Sequence, residues 1–281
     1  MALQEIPQII NIHKLFKDKN PGLFKFLPGF ILRYIKHALH QDRMNEILHK
    51  GNGHNGIEFA NLVLSEMGVN TTSKGLENIP QKGPIIIVAN HPLGGLDAMA
   101  LIRMVGQKRS DLRYLVNDVL TMLPNFENLF VPVNKFGSNA KSNLAFIDEI
   151  YATDAAVLIF PAGRCSRKIK GVIEDVEWQK SFVSKAQKYQ HPILPVFIKG
   201  KNSSWFYNLA QFRAFLGIKA NLEMFYLADE MFKQKGKTIE MVFGKVISSD
   251  ELTTQHSSKI WAKRIRNFVY GLEFKNDSIF K

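Results

Sequence analysis

Residues 85–97 read Ile85-Ile86-Ile87-Val88-Ala89-Asn90-His91-Pro92-Leu93-Gly94-Gly95-Leu96-Asp97. The apolar run that follows a Gly-Pro pair is typical of a fully buried strand bounded by turn residues. His91 is therefore expected just beyond the carboxyl end of that strand. Asp97 begins a segment of good helix formers, where a carboxylate suits the positive end of the helix dipole. The spacing predicts a histidine base oriented by a carboxylate.

Strand and helix patterns alternate along the rest of the chain. Strands are predicted at residues 85–89, 112–116, 129–133, 155–160, 193–198, 220–227 and 238–243. Helices are predicted at residues 57–67, 98–105, 139–152, 178–189, 206–215 and 257–272, and a polar linker at residues 70–74. This alternation predicts an α/β fold in which helices flank a largely buried central sheet.

A basic, aromatic-rich segment precedes this alternating pattern. Residues 23–50 mix apolar side chains with Lys and Arg, and Pro-Gly pairs break the segment into short pieces. Two interpretations are open: the apolar side chains enter the headgroup boundary of an anionic membrane, or a pair of helices packs on the core. We divide the chain into an N-terminal amphipathic helical segment, residues 1–56, and a main domain, residues 57–281.

Composition limits the classes of function. A chain of 281 residues that is 46% hydrophobic can form one large domain, and a net charge of +12 predicts attraction to anions. The single Cys165 excludes an intramolecular disulfide, and we interpret it as structural rather than as an acyl-accepting nucleophile. The eight histidines show no metal-ligand spacing, so no metal is expected. The single cysteine also fits a reducing, cytoplasmic location. Neither a secretory signal nor a bilayer-spanning stretch is evident, so the chain is not expected to span a bilayer.

A second predicted strand ends in a cationic turn, Pro161-Ala162-Gly163-Arg164-Cys165-Ser166-Arg167-Lys168. Its guanidinium, ammonium and hydroxyl groups are suitable donors to a phosphate or a carboxylate. Asn134 and Lys135 similarly follow residues 130–133, and a proline precedes the strand at residues 193–198. Each feature alone has a structural alternative: the turn is a solvated basic loop, and Asp97 caps a helix beside a loop histidine.

Taken in order, these four stretches resemble the motifs of the glycerolipid acyltransferase family, which includes lysophosphatidic acid acyltransferases. The resemblance covers residues 83–200 and implies that family's central sheet flanked by helices. It also implies that His91 is the catalytic base and Asp97 its orienting carboxylate. The implied co-substrate is a fatty acyl thioester on acyl carrier protein or coenzyme A, with no other cofactor. The expected substrate-binding residues are Asn134, Lys135, Gly163, Arg164, Ser166 and Arg167.

Three departures from the family pattern concern the acceptor. Five residues instead of four separate His91 from Asp97, Ala162 replaces a glutamate, and Cys165 stands where the motif has an arginine. The resulting pattern resembles the branch that acylates the hydroxyl of N-acylated amino acid lipids, such as lyso-ornithine or glycine lipids. The resemblance therefore implies O-acylation of a lyso-aminolipid or of lysophosphatidic acid.

The alternative function is that of a non-catalytic, basic protein that binds lipid or nucleic acid. Because the basic residues are dispersed and no nucleic-acid module is visible, no nucleic-acid partner is expected. We expect a peripheral protein on the inner face of the cell membrane, with an anionic membrane surface and a lyso-lipid as partners. The aromatic residues within 205–216 are expected either to wall an acyl-chain channel or to pack in the core.

Overall fold

The fold is taken from a computed structural model, which describes residues 9–117, 123–133, 140–218, 220–275 and 278–280 apart from positions 20 and 27. The strands are β1 (Asn70–Lys74), β2 (Ile85–Ala89), β3 (Leu112–Val116), β4 (Phe130–Pro132), β5 (Ala156–Ile159), β6 (Arg167–Ile169), β7 (Val172–Glu174), β8 (Ile193–Lys199) and β9 (Thr238–Phe243). The helices are α1 (Ile12–Lys19), α2 (Pro21–Phe26), α3 (Gly29–Ala38), α4 (Gln41–Lys50), α5 (Ile57–Glu66), α6 (Gly95–Val105), α7 (Ala140–Tyr151), α8 (Ser181–Tyr189), α9 (Ser204–Phe215), α10 (Leu227–Phe232) and α11 (Ser258–Gly271).

The main sheet has seven strands in the order β1-β9-β8-β2-β5-β3-β4. The five strands from β8 to β4 are parallel, whereas β9 runs antiparallel to β8 and parallel to β1. Strand β2 lies in the middle, between β5 and β8. The loops that follow β2 and β5 therefore leave the same edge of the sheet side by side, because the carboxyl ends of parallel strands meet there.

Helices cover both faces of β2, which is fully buried. Ile85 and Ile87 pack with α5 and α6, whereas Ile86 and Val88 pack with α8 and α11 on the other face. A strand covered on both faces is apolar at every position, and this explains why residues 85–89 show no alternation. The predicted α/β fold is confirmed.

Two predicted segments are wrong. Residues 220–227 form a 3₁₀ helix, Leu222–Tyr226, that leads into α10 instead of a strand. The buried carboxylate of Glu223 accepts hydrogen bonds from two arginines there, and tertiary ion pairing outweighs local β propensity. Residues 70–74 are not a linker but the edge strand β1, which pairs its backbone with β9.

The hairpin of β6 and β7 was also not predicted. Lys170 and Gly171 connect the two strands with φ values of 48° and 87°. Two consecutive left-handed residues match a tight hairpin turn, so the Lys-Gly pair was the available sequence signal. The hairpin matters because it places Asp175 behind the loop that carries His91.

Candidate active site

The loop between β2 and α6 brings His91 and Asp97 together. Oδ2 of Asp97 lies 3.1 Å from Nδ1 of His91 and also accepts the backbone N–H groups of Leu93, at 2.7 Å, and Gly94, at 3.1 Å. Gly94 makes this tight turn at φ 78° and ψ −136°, a conformation that disfavours residues with a Cβ. One carboxylate oxygen therefore fixes both the loop and the imidazole.

The carboxylate of Asp97 is completely buried. Burial raises the pKa of Asp97 above its usual value, although the hydrogen bond from His91, the charge of that histidine and the N–H of Leu93 act in the opposite direction. Oδ1 of Asp97 has no hydrogen-bond partner among the described residues. A buried carboxylate at this distance stabilises the imidazolium that forms when a histidine accepts a proton during a reaction.

The imidazole of His91 packs against an aromatic pair. Its ring stacks on Phe160, with 4.2 Å between the ring centroids, and Tyr114 packs edge-on against Phe160. Burial raises the pKa of the Tyr114 phenol, and the nearby charge of Asp97 raises it further, so Tyr114 remains a neutral phenol. When Asp97 is ionised, its Oδ2 can only accept from Nδ1, so that nitrogen then carries the proton and Nε2 holds the free lone pair. The histidine side chain keeps 14% of its surface exposed.

Asp175 is a second buried carboxylate behind the same loop. Its Oδ1 accepts the backbone N–H of His91 at 3.2 Å and the hydroxyl of Ser166 at 2.6 Å, while its Oδ2 accepts Nε1 of Trp178 at 2.9 Å. The backbone N–H of Asp175 donates to the hydroxyl of Tyr270 at 2.7 Å. Sequence reasoning missed this residue, because only the β6–β7 hairpin brings it near His91.

The loop after β5 is joined directly to the His91 loop, since the backbone N–H of Ser166 donates to the carbonyl of His91 at 2.8 Å. Arg167 is half of an internal ion pair: its guanidinium donates to the fully buried Glu223 at 2.9 Å and to the carbonyl of Cys165 at 2.9 Å. Arg213 binds the same glutamate at 2.8 Å. The guanidinium of Arg167 and the hydroxyl of Ser166 are thus engaged within the protein.

The other predicted substrate-binding residues differ in their surroundings. Gly163 and Arg164 are exposed, and no described side chain pairs with Arg164. Asn134 and Lys135 lie outside the described residues. Of the two arginines in the loop after β5, Arg164 is therefore the one whose guanidinium is open to a ligand. The roles of all six residues in substrate binding stay predictions.

Cys165 lies inside the same loop and is buried. Burial raises the pKa of its thiol to about 12, and the charge of Asp97 contributes to this shift. A Cβ added to Gly94 would lie 3.1 Å from its Sγ, so the thiol fills the space against the glycine turn. A thiol that stays protonated is a poor nucleophile, which agrees with a structural role.

A groove of about 730 Å³ opens on the α11 side of the His91 loop. Asn90, Pro92, Ser166 and Tyr270 line it, but the imidazole of His91 does not. The imidazole instead faces Phe160, which belongs to the core of α5 and α6. This groove therefore does not contact the imidazole of His91.

Residues 14–278 match a protein family described as Acyltransferase. The chain belongs to this acyltransferase family. Two relatives are named lyso-glycine lipid O-acyltransferase, and each is 38% identical over 265 residues. The protein from Bacteroides thetaiotaomicron is matched over 94% of this chain and 97% of its own length, and that from Phocaeicola vulgatus over 94% and 95%. The family membership makes the chain an acyltransferase and replaces the non-catalytic alternative.

The acyltransferase fold is also found in a solved structure. The crystal structure of the 1-acyl-sn-glycerophosphate (LPA) acyltransferase PlsC from Thermotoga maritima aligns with a TM-score of 0.50 and 17% identity, over 90% of this chain and 87% of that one. This similarity concerns the fold alone. Within the described residues, no cluster of three or more His, Cys, Asp or Glu side chains could hold a metal ion. No described helix has both the length and the hydropathy needed to cross a bilayer.

Proposed function

We propose that this acyltransferase transfers a fatty acyl group from a thioester to the free hydroxyl of a lyso-lipid. The observation that carries the proposal is the imidazole of His91, whose Nδ1 is bound to the buried Asp97 and whose Nε2 is left to a substrate. The names of the two relatives favour an N-acylated glycine lipid as the acceptor.

The chemistry follows from this pair. Nε2 of His91 removes the proton of the acceptor hydroxyl as its oxygen attacks the thioester carbonyl carbon, and a C–O bond forms. Asp97 stabilises the imidazolium that results and keeps its Nδ1 proton in place. The tetrahedral intermediate then breaks its C–S bond, the leaving thiolate takes the proton from Nε2, and the products are an ester and a free thiol.

The negative oxygen of the intermediate needs hydrogen-bond donors. The backbone N–H groups of Leu93 and Gly94 already donate to Asp97, and that of His91 donates to Asp175. These three N–H groups therefore bind the carboxylates of Asp97 and Asp175 and are not available as donors to the negative oxygen of the intermediate. We place the oxyanion donors in other backbone groups near the ends of β2 and β5.

We propose acyl carrier protein or coenzyme A as the thiol carrier, with no other cofactor. Both carriers present phosphate, and a free guanidinium is a suitable partner for phosphate or for the carboxylate of a glycine lipid. Arg164 is exposed and follows Gly163 in the loop that is joined to His91. We assign the orientation of the anionic group to Arg164, and we place the enzyme at the inner face of the cell membrane.

Product analysis tests this function. Purified protein is incubated with labelled acyl-acyl carrier protein or acyl-coenzyme A and with lyso-glycine lipid, lyso-ornithine lipid or lysophosphatidic acid, and both thiol release and diacylated product are measured. We expect stoichiometric thiol and ester, with the lyso-glycine lipid preferred. Equal turnover of all three acceptors would contradict the assigned acceptor. Absence of thiol release with every pair would contradict acyl transfer from these carriers.

A further inference from the structure

Exposed apolar side chains are concentrated on one part of the surface. Of the eighteen exposed large apolar side chains among the described residues, eleven fall within residues 26–34 and 205–225. The first range covers the end of α2 and most of α3, and the second covers α9 and the 3₁₀ helix before α10. Soluble proteins seldom leave a large apolar patch in water unless it contacts a partner or a membrane.

Helix α9 is apolar on two opposite faces. Phe206 and Tyr207 are buried on its inner face. Trp205, Phe212 and Leu216, spaced by seven and four positions, share the outer face and are 46%, 61% and 53% exposed. Core packing explains the inner face alone. The aromatic residues of 205–216 therefore include both core residues and an outer set that the fold leaves uncovered.

The apolar side chains of α3 and α9 belong to one continuous surface, because Tyr226 of the 3₁₀ helix lies between them. The ring of Tyr226 packs against Trp205 with centroids 4.2 Å apart, and its hydroxyl is hydrogen-bonded to that of Tyr34. Tyr34 and Phe30 are one turn apart on the exposed side of α3. We call this surface the α3–α9 face and define it by Phe30, Tyr34, Trp205, Phe212, Leu216 and Phe225.

The exposed charge on the α3 side of this face is positive. Residues 21–41 contain no Asp or Glu but include Lys and Arg, whereas Arg213 of α9 is paired with the buried Glu223. Lys25 and Arg33 are exposed beside the apolar residues of α2 and α3. Exposed aromatic side chains flanked by cations, without anions between them, complement the boundary of an anionic lipid bilayer.

The face is connected to the candidate active site. Tyr226 is followed by Leu227, and a Cβ added to Gly94 would lie 3.3 Å from the side chain of Leu227. The 3₁₀ helix also carries Glu223, which binds Arg167 of the loop after β5. A lipid that enters from this face therefore meets the segment packed directly on the His91 loop.

We infer that the α3–α9 face docks the protein onto an anionic lipid bilayer and that the outer side of α9 enters the headgroup boundary. This inference extends the proposed function, in which the acceptor is a lipid, and identifies the surface and the element that contact the membrane. The N-terminal helices share this contact with α9, about 170 residues further along the chain.

The native tryptophans provide a direct test. Trp205 is the exposed one of the three, since Trp178 and Trp261 are only 3% and 5% exposed. On addition of vesicles that contain phosphatidylglycerol, we expect the emission maximum of Trp205 to shift to shorter wavelength. Quenching of its fluorescence by iodide in solution should decrease, and lipids with brominated acyl chains should quench it. Vesicles of phosphatidylcholine alone should give a weaker response, and added salt should weaken binding to the anionic vesicles.

A matched pair of variants locates the contact. Phe212→Ser combined with Leu216→Ser makes the outer face of α9 polar and keeps the Trp205 reporter. The control, Ile260→Ser, changes an exposed apolar residue of α11, which is 47% exposed against 61% for Phe212 and 53% for Leu216. We expect the α9 variant to lose at least about tenfold in affinity for anionic vesicles, and Ile260→Ser to bind like wild type. Equal loss in both variants, or none in the α9 variant, would overturn the inference.

Two further measurements separate this inference from others. Molar mass in solution is measured for wild type and the α9 variant: a wild-type dimer that the variant converts to a monomer, without vesicle binding, would assign the face to a second copy and overturn the inference. Acyl transfer to a short-chain, water-soluble lyso-acceptor should be unchanged in the α9 variant. If wild type binds vesicles but transfers no acyl group, the proposed function fails while the docking surface stands.

Discussion

Nδ1 of His91 lies 3.1 Å from Oδ2 of Asp97, and the carboxylate of that aspartate has no exposed surface. The same oxygen accepts two backbone N–H groups of the connecting loop. A single buried atom therefore sets the position of the imidazole, its tautomer and the turn around Gly94. An asparagine at position 97 would keep an oxygen that accepts these hydrogen bonds but would carry no charge.

Asp97→Asn makes that change. The amide oxygen still accepts the backbone N–H groups, but it does not stabilise an imidazolium as a carboxylate does. We expect acyl transfer to fall by about 10²- to 10⁴-fold. The melting temperature should not fall, because the variant no longer buries a charge. Initial rates and thermal unfolding of the same preparations check both statements, and a variant that unfolds at lower temperature but keeps its rate would contradict them.

The pH dependence of the free energy of unfolding tests whether the pKa of Asp97 is raised in the folded protein. Because burial raises its pKa in the folded protein, the folded state holds the proton more tightly than the unfolded chain does. This contribution to stability is fully present below the unfolded-state pKa and is lost as the pH rises through the folded-state pKa. Denaturant unfolding should therefore show that the free energy of unfolding of wild type, relative to Asp97→Asn, falls as the pH rises. A difference that grows with pH would be the contrary result.

Asp175 is a positioning residue in this account, because it holds the backbone of His91. We expect Asp175→Asn to lower kcat by about 10- to 100-fold with little change in KM, since the imidazole is displaced while substrate contacts remain. Trp178→Phe removes a hydrogen bond to the same carboxylate without touching the His91 loop. This control should lower the melting temperature and preserve kcat. A parallel loss of kcat in both variants would reduce Asp175 to a purely structural role.

Cys165 should be dispensable for chemistry. Its buried thiol, with a pKa of about 12, is expected to react slowly with a thiol reagent in the native protein and rapidly after unfolding. Cys165→Ala should keep acyl transfer within about a factor of three of wild type, because it removes little volume. The chain has a single cysteine, so the reagent reports on this site alone. Trapping of an acyl-cysteine, or inactivity of Cys165→Ala in a folded protein, would establish a nucleophile instead.

Substitutions of Arg164 and Arg167 should have different effects, one on substrate binding and the other on the stability of the fold. Arg164→Gln changes an exposed cation that has no ion-pair partner among the described residues. We expect KM for the anionic substrate to rise by about tenfold with the free energy of unfolding unchanged. Arg167→Gln takes one partner from the buried Glu223, and we expect it to cost about 1–3 kcal/mol of stability. Steady-state kinetics and denaturant unfolding distinguish the two. The reverse pattern would place substrate recognition on Arg167.

Features that depend on a short stretch of sequence could be predicted from the sequence alone. The boundaries of the strands at residues 85–89, 112–116 and 238–243 were predicted as found, because apolar residues either run through or alternate along each of them. The proximity of His91 and Asp97 also followed from a strand, a glycine turn and a helix start that are close in sequence. The order of four short motifs then linked the chain to acyltransferases.

The features that were not predicted depend on contacts between residues that are far apart in sequence. Asp175 reaches His91 only through the β6–β7 hairpin, and Arg167 meets Glu223 across 56 positions. The strand predicted at residues 220–227 was wrong because Glu223 is held by arginines from elsewhere in the fold. Periodicity likewise could not tell which side of α9 would be covered, since both sides are apolar.

The transfer rate of His91→Ala tests the central claim most directly. The variant removes Nε2 but leaves Asp97 bound to the N–H groups of Leu93 and Gly94. With an acyl thioester and lyso-glycine lipid, we predict a loss of at least about 10³-fold in ester formation, with the folded structure kept as judged by circular dichroism and vesicle binding. Ester formation at the wild-type rate in that folded variant would contradict the assignment of His91 as the base.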